Sequence, residues 1–167
     1  WKLFLARSFT VEPMVPLLRA EALLSGIDLI VTTGEFNTWM QEMLDPASRL
    51  YQFQPDGIVL AAPDAALGQL RSALTALRER SNAHVVLHTR PAGLFPRSGI
   101  FDARLEDGEW TQLQQHNTGL RALAREFRGV HVLDYDALVA RHGRQGWCDQ
   151  QKWLTMRLPV AAPNLIH

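Results

Sequence analysis

A serine follows the first apolar stretch of the chain, at a position where it could act as a nucleophile. Ser8 comes shortly after Leu3–Ala6, and Thr10 and Glu12-Pro13 follow it. A helix that begins just beyond Ser8 would offer free backbone N–H groups and a favourable dipole to an oxyanion. Alternatively, Ser8 and Thr10 only satisfy the first N–H groups of that helix. Acyl chemistry and helix capping are therefore both open for Ser8.

Glycine, amide and carboxylate groups follow two further apolar stretches. Gly34 and Asn37 come after the second stretch, where a backbone N–H and a side-chain amide could complete an oxyanion hole. The alternative is a turn glycine and an Asn that caps a helix beginning at Thr38. Asp64 follows the third stretch, either at a binding site or as the N-cap of a helix that begins near Ala65.

One histidine ends the fourth apolar stretch. His88 points either into the core or towards a site at the end of its strand. His84 should share its face of the sheet, because side chains alternate along a strand. A histidine at such a position is more often packed than a base. His88 is kept as a catalytic candidate, since serine chemistry needs a base within reach of the hydroxyl.

Alternating strands and helices must position these residues. Short apolar runs predict five strands, at Lys2–Arg7, Asp28–Thr33, Gly57–Ala62, His84–Thr89 and Val130–Leu133. Amphipathic periodicity predicts helices at Glu12–Ser25, Asn37–Leu44, Ala65–Arg80, Trp110–Phe127 and Asp136–Arg141. Thr10 is the predicted N-cap of the first helix and Gly26 its C-cap. The remaining segments are predicted as loops at Pro46–Pro55 and Arg90–Asp107, and as irregular or partly helical at Gly143–Pro159.

Apolar strands that alternate with helices predict a parallel sheet that is covered on both faces. The predicted fold is therefore a three-layer α/β/α domain of the flavodoxin-like kind, with a five-stranded sheet in the order 2-1-3-4-5. Ligands of such sheets bind beyond the carboxyl ends of the strands. The residues that follow the strands consequently form the predicted site.

Composition and charge exclude several classes of protein. The 167 residues suffice for one domain with a hydrophobic core, and 47% of them are hydrophobic. The net charge of zero gives no basic surface for nucleic acid, and no apolar run approaches the roughly 20 residues of a membrane span. Because no signal peptide is recognisable and Cys148 is the single cysteine, the chain is predicted to be cytoplasmic.

Neither metal nor phosphate chemistry is predicted for this domain. Its histidines are scattered, Cys148 is alone, and both common glycine-rich phosphate loops are absent. Asp134-Tyr135-Asp136 has the DxD spacing of haloacid dehalogenase phosphatases, but it follows the last strand and lacks the residues that accompany that motif. We therefore expect no cofactor in this domain and no phosphatase role for Asp134 or Asp136.

Several stretches together resemble the N-terminal domain of FkbH-like proteins. They are ARSFTVEPMVPLLRAEALLSGID, EFNTWMQEMLDPASRLYQFQPDGIVLA, NTGLRALA with VHVLDYDALVARHG, and GWCDQQKWLTMRLP. The resemblance covers about residues 3–160, and its most specific part runs from Phe36 to Asp56. It implies an SGNH-hydrolase-like fold. It also implies that residues 1–167 are one domain of a longer, polyketide-synthase-associated protein and adjoin a haloacid-dehalogenase-like phosphatase domain.

The resemblance also implies a function. FkbH-like proteins take a glyceryl group from 1,3-bisphosphoglycerate, dephosphorylate it and load it onto an acyl carrier protein for polyketide biosynthesis. The implied partners are thus an acyl carrier protein and a small phosphoglyceryl or acyl substrate, with neither nucleic acid nor membrane. Any Mg²⁺ would belong to the phosphatase domain.

The resemblance assigns roles to individual residues. Ser8 falls at the nucleophile position of SGNH hydrolases, and Asp149 matches the block that supplies the base and its orienting carboxylate. The histidine expected three residues after Asp149 is Lys152 here, so His88 or His167 would have to replace it. The expected catalytic residues are Ser8, Asp149 and His88, and the expected substrate-binding residues are Thr10, Gly34, Asn37, Asp64 and Asn117.

Three alternatives to glyceryl loading remain open. One is an SGNH-type serine esterase or deacylase that uses Ser8. Another is a non-catalytic domain that only docks the carrier protein. In a minor third alternative, the thiol of Cys148 holds the acyl group.

Overall fold

The sheet has the predicted order and direction. In a computed structural model that describes residues 1–165, five parallel strands lie in the order β2-β1-β3-β4-β5. They span Lys2–Arg7 (β1), Ile30–Thr33 (β2), Gly57–Ala61 (β3), His84–His88 (β4) and Val130–Leu133 (β5). Because every strand runs the same way, all carboxyl ends meet at one edge of the sheet, called here the carboxyl edge.

Helices cover both faces of the sheet, which confirms the predicted three-layer architecture. They span Val15–Leu24 (α1), Trp39–Leu44 (α2), Arg49–Phe53 (α3), Leu67–Arg78 (α4), Glu109–Glu126 (α5), Tyr135–His142 (α6) and Gln150–Met156 (α7). Phe4 points to a core formed with α2 to α5, whereas Leu3 and Leu5 point to a smaller core beneath α1. The alternation of side chains along β1 therefore places one apolar residue after another on opposite faces.

The first helix begins later than predicted. Glu12–Met14 forms a tighter 3₁₀ turn, and α1 starts only at Val15. The prediction of Thr10 as N-cap is wrong, because its hydroxyl donates to the Met156 carbonyl oxygen at the end of α7. Gly26 follows the end of α1 with φ +75°, a left-handed conformation that glycine adopts without steric cost, as predicted for the C-cap region.

Two segments predicted as loops contain short helical elements. The Pro46–Pro55 segment holds α3, which buries Leu50 completely, and a 3₁₀ helix at Gly99–Arg104 lies within Arg90–Asp107. One-turn helices have too few residues to show an amphipathic period, so sequence periodicity misses them. In the part of the chain that the structure describes, no helix is long and apolar enough to cross a membrane.

Candidate active site

Residues from three different strand ends meet in one cavity at the carboxyl edge. Ser8, Asn37 and Asp64 follow β1, β2 and β3, and all three line a cavity of about 550 Å³. The sheet order explains this, because β1 lies between β2 and β3. We call it the Ser8 cavity. The structure thus brings three of the sequence-predicted residues together.

Ser8 is anchored to the neighbouring strand by weak and strong contacts. Its backbone N–H donates to the Ala61 carbonyl oxygen at 2.8 Å, and its hydroxyl donates to the same oxygen at 3.3 Å. The second bond is long, so the hydroxyl can leave it at little cost. Since α1 begins only at Val15, no α-helix N-terminus directly follows Ser8 to stabilise an oxyanion.

Asn37 reaches the cavity through an uncommon backbone conformation. Its φ of +59° lies in the left-handed region, which Asn tolerates better than most residues, and its N–H donates to the Arg7 carbonyl oxygen at 2.9 Å. It does not cap α2, whose N-cap position is Thr38. Within residues 1–165 its side-chain amide makes no hydrogen bond, which leaves donor and acceptor atoms for a ligand.

Gly34 stabilises the turn after β2, because both of its backbone polar groups bond to residues of β1. Its N–H donates to the Leu5 carbonyl oxygen at 2.9 Å, and its own carbonyl oxygen accepts from Arg7 Nε at 3.0 Å. A Cβ at this position would lie 3.2 Å from Cε1 of Phe4, which is tighter than most real contacts. The predicted use of this N–H for an oxyanion is therefore not supported, since the sheet already occupies it.

Asp64 contributes a carboxylate to the cavity. Helix α4 begins at Leu67, and the N–H of Ala66 before it donates to Oε1 of Gln69 at 3.1 Å, so Asp64 is not the cap. The carbonyl groups on either side of Asp64 accept from the Arg90 guanidinium, which fixes this turn. The Asp64 side chain is exposed and forms no ion pair among the described residues.

Asn117 positions a loop. It is buried on α5, where its Oδ1 accepts from the Arg90 N–H and its Nδ2 donates to the Arg90 carbonyl oxygen, each at 2.9 Å. Both polar ends of the amide are thus occupied by the backbone after β4. The structure therefore gives Asn117 a role in positioning this loop, and its role as a substrate ligand stays a prediction.

His88 lies apart from the Ser8 cavity in an aromatic setting. Its ring meets Phe9 and Tyr135 edge-on, with centroid distances of 6.5 and 5.6 Å. Nδ1 lies 3.2 Å from the Thr89 carbonyl oxygen, whereas Nε2 is buried without a partner in residues 1–165. Burial lowers the pKa of His88, so the ring is neutral at physiological pH. A catalytic role for His88 stays a prediction.

Asp149 caps a helix. Its Oδ1 accepts from the Lys152 N–H at 3.0 Å, which makes it the N-cap of α7, and its carboxylate lies 3.8 Å from Lys152 Nζ. It does not line the Ser8 cavity. His167, the other candidate base, lies outside the described residues. No histidine side chain of residues 1–165 lines the cavity.

The far end of the chain supplies residues that the sequence analysis missed. Trp153 in the middle of α7 and Arg157 just after that helix line the Ser8 cavity, together with Trp39 of α2. Trp39 belongs to the FNTWMQE stretch, the most specific part of the family resemblance, so the sequence could have indicated a role for it. The sequence contains no comparable indication for Arg157. Its position at the cavity depends on the hydrogen bond from the Thr10 N–H to the Arg157 carbonyl oxygen, at 2.9 Å.

The cavity has little resident charge and no metal cluster. Asp64 and Arg157 are its charged residues, with Ser8, Asn37 and Gln69 as polar ones and tryptophan rings as apolar walls. Among residues 1–165, no group of three or more His, Cys, Asp or Glu side chains is placed to hold a metal ion. The arrangement can bind a small polar molecule that also has apolar surface, next to a serine hydroxyl.

Neither the known protein families nor the curated protein sequences give a match to this sequence. Solved structures do match. The first is the N-terminal part of BF1531 from Bacteroides fragilis, containing a phosphatase domain and complexed with Mg. It has a TM-score of 0.81 at 15% identity, covering 99% of this chain and 48% of that one. This chain thus spans about half the length of that structure.

Two further structures with the same fold have names that state an activity. A putative GDSL-like lipase from Parabacteroides merdae has a TM-score of 0.55 at 13% identity, and the alignment covers 99% of this chain and 89% of the lipase. The acetyl xylan esterase AlAXEase has a TM-score of 0.51 at 13% identity, with coverage of 99% and 94%. These likenesses establish the three-layer α/β/α fold that SGNH-type esterases share.

Proposed function

We propose that this domain processes acyl esters or thioesters, with Ser8 as the nucleophile of an SGNH-type site. The observation that carries the proposal is the convergence of Ser8, Asn37 and Asp64 in one cavity at the carboxyl edge. The shared fold with a GDSL-like lipase and an acetyl xylan esterase supports the same class of reaction. Fold alone does not assign an activity, so the site geometry is the main support.

The chemistry follows from the groups in the cavity. Ser8 Oγ attacks the acyl carbonyl carbon, the hydroxyl proton moves to the Asp64 carboxylate, and the Asn37 amide N–H donates to the developing oxyanion. The carbon–oxygen or carbon–sulfur bond of the substrate then breaks, and the leaving group takes the proton from Asp64. Water or an acceptor thiol next attacks the acyl carbon and the bond from that carbon to Ser8 Oγ breaks. The proton of the incoming group passes through Asp64 to Ser8 Oγ, which restores the hydroxyl. Because a carboxylate is a weaker base than imidazole, the isolated domain should turn over slowly.

A covalent serine probe tests this proposal. A fluorophosphonate should phosphonylate the domain once, at Ser8, adding the mass of the probe less that of HF. The domain should also hydrolyse p-nitrophenyl acetate slowly. Ser8→Ala should remove both signals. Ser81→Ala is the matched control, because Ser81 lines a cavity at the opposite edge and its hydroxyl oxygen accepts from the Ala83 N–H. Labelling that survives Ser8→Ala, or a folded wild-type domain that reacts with neither reagent, would contradict the proposal.

A second function is favoured by the likeness to the Bacteroides fragilis structure. That structure contains a phosphatase domain and matches 99% of this chain with a TM-score of 0.81, well above the values for the lipase and the esterase. A domain next to a phosphatase domain, with no imidazole lining its serine cavity among residues 1–165, would fit transfer of an acyl group better than rapid hydrolysis. Under this second proposed function, the domain belongs to an FkbH-like protein that loads a glyceryl group onto an acyl carrier protein. Any Mg²⁺ would then be in the phosphatase domain.

The two functions are separated by one assay on the full-length parent protein. The parent is incubated with 1,3-bisphosphoglycerate, Mg²⁺ and a purified acyl carrier protein, and the carrier is analysed by intact mass. A glyceryl increment on the carrier would support loading. No increment would leave the esterase function as the better account. Loading that persists in a Ser8→Ala parent would favour a domain that only docks the carrier.

A further inference from the structure

Trp153 of α7 and Arg157, which follows that helix, form one wall of the Ser8 cavity. Trp153 and Arg157 both line it, and the Arg157 guanidinium carbon lies 5.2 Å from the centre of the Trp153 ring. This distance is within the range of a cation–π contact, which restrains an otherwise flexible side chain. Arg157 itself has φ +54°, a left-handed conformation that ends the helix.

This wall is tied to the loop that carries Ser8. The Thr10 N–H donates to the Arg157 carbonyl oxygen at 2.9 Å, and the Thr10 hydroxyl donates to the Met156 carbonyl oxygen. Thr10 is two residues from Ser8, so the position of the Arg157 backbone is fixed relative to the serine. The fold therefore brings Arg157 into the same cavity as Ser8, although the two residues are 149 positions apart in the sequence.

The guanidinium of Arg157 lacks an acidic partner. Other arginines form ion pairs, with contacts at Arg7–Glu12, Arg71–Glu126, Arg121–Asp134 and Arg144–Asp136. Within residues 1–165 no carboxylate pairs with Arg157, and Asp64 lines the same cavity without pairing with it. A planar guanidinium with free N–H groups beside an aromatic ring is well suited to bind an oxyanion.

We propose that Arg157, held by Trp153, is the specificity-determining residue that binds an oxyanion on the acyl group of the substrate. The inference rests on the proposed function, since it requires the acyl carbonyl to lie at Ser8. The oxyanion is a carboxylate or a phosphate at the end of the acyl chain away from the ester. Asp64 repels such a group, so the two charges of the cavity orient the acyl chain with its anionic end towards Arg157.

The test is a comparison of two esters that differ in charge. The ratio of kcat/KM for mono-p-nitrophenyl succinate to that for p-nitrophenyl butyrate should exceed one in the wild-type domain. Arg157→Gln should lower this ratio about tenfold, because it removes a charge-assisted pair. Arg157→Lys should retain part of the preference. Arg125→Gln, an exposed arginine on α5 away from the cavity, is the control and should leave the ratio unchanged. An unchanged ratio in Arg157→Gln overturns the inference.

A binding experiment decides the inference even if neither ester is hydrolysed. Absent hydrolysis would count against the esterase function alone. Succinate and inorganic phosphate are titrated separately into ¹⁵N-labelled protein, and the Trp153 indole N–H and Arg157 Nε–H signals are followed by NMR. Saturable shifts with one of the anions, lost in a folded Arg157→Gln variant, support the inference and identify which oxyanion is preferred. Absence of shifts with both anions, or shifts that persist in Arg157→Gln, overturns it.

Discussion

Two cavities lie at opposite edges of the sheet, and the larger one has the weaker case for chemistry. The cavity at the amino edge measures about 740 Å³ and the Ser8 cavity about 550 Å³. The amino-edge cavity is lined by Trp1, Tyr51, Asp56, Arg80, Ser81 and His84 among others. Size alone therefore does not identify the site.

The two cavities differ in whether the protein itself already hydrogen-bonds the carboxylate that lines each of them. At the amino edge the Tyr51 hydroxyl donates to the Met43 carbonyl oxygen at 2.6 Å, Asp56 accepts from the Lys2 N–H at 2.8 Å, and Arg80 donates to the Ala76 carbonyl oxygen at 3.0 Å. In the Ser8 cavity, by contrast, the Asp64 carboxylate forms no hydrogen bond or ion pair among residues 1–165. Polar groups that the fold does not satisfy are the ones available to a ligand.

The largest expected difference between the two edges comes from a matched pair of asparagines. Asn37→Gly removes the proposed oxyanion donor while tolerating φ +59°, and should lower kcat for p-nitrophenyl acetate about 100-fold. Asn82→Gly, at the amino-edge cavity, should leave kcat unchanged. Equal effects of the two substitutions would remove the distinction between the edges.

A matched pair of aspartates should give a smaller effect. Asp64→Asn removes the proposed proton acceptor of Ser8 and should reduce turnover about tenfold, because a carboxylate contributes less than a well-placed imidazole. Asp56→Asn keeps an oxygen that can accept from the Lys2 N–H, so its turnover and its melting temperature should stay close to wild type. Steady-state kinetics on both variants would measure these two turnover numbers. Full activity in Asp64→Asn would exclude Asp64 as the base.

A change at the amino edge should affect stability alone. Tyr51→Phe removes the hydroxyl that donates to the Met43 carbonyl oxygen, and should lower the free energy of unfolding by about 1 kcal/mol. Urea denaturation followed by circular dichroism gives this value. Ester hydrolysis should be unaltered under native conditions, and a loss of activity in the folded variant would show that the two edges are coupled.

The pH dependence of stability should depend on His88, a half-buried histidine near the carboxyl edge whose Nε2 atom is buried. Burial lowers the pKa of His88 below its ordinary value of 6.5, and burial likewise lowers that of His116. As pH falls below about 6.5 the unfolded chain takes up protons that the native protein resists, so the free energy of unfolding decreases. Below the native pKa values the decrease levels off. His88→Gln should reduce the decrease between pH 7.5 and 5.5, and an identical decrease in this variant would show that His88 does not contribute.

Much of the fold could be predicted from local patterns, and the errors have identifiable causes. Short apolar runs predicted all five strands, and the central strands β1 and β3 are the most completely buried of them. Thr10 was predicted to cap a helix because of its residue type, and capping was one of the two alternatives open for Asn37. Thr10 instead contacts α7, and Asn37 adopts a left-handed turn, because contacts with distant segments outweighed the local preference.

Some features of the candidate site could likewise be predicted from the sequence, and others depend on the tertiary structure. Alternation of strands and helices by itself determined that Ser8, Asn37 and Asp64 lie at one edge, because parallel topology brings the strand ends together. The sequence also showed that the histidine expected after Asp149 is replaced by Lys152. Only the tertiary structure decided that Asn117 serves the backbone and that Arg157 lines the cavity. Both depend on hydrogen bonds between segments far apart in the chain, which no local pattern of residues encodes.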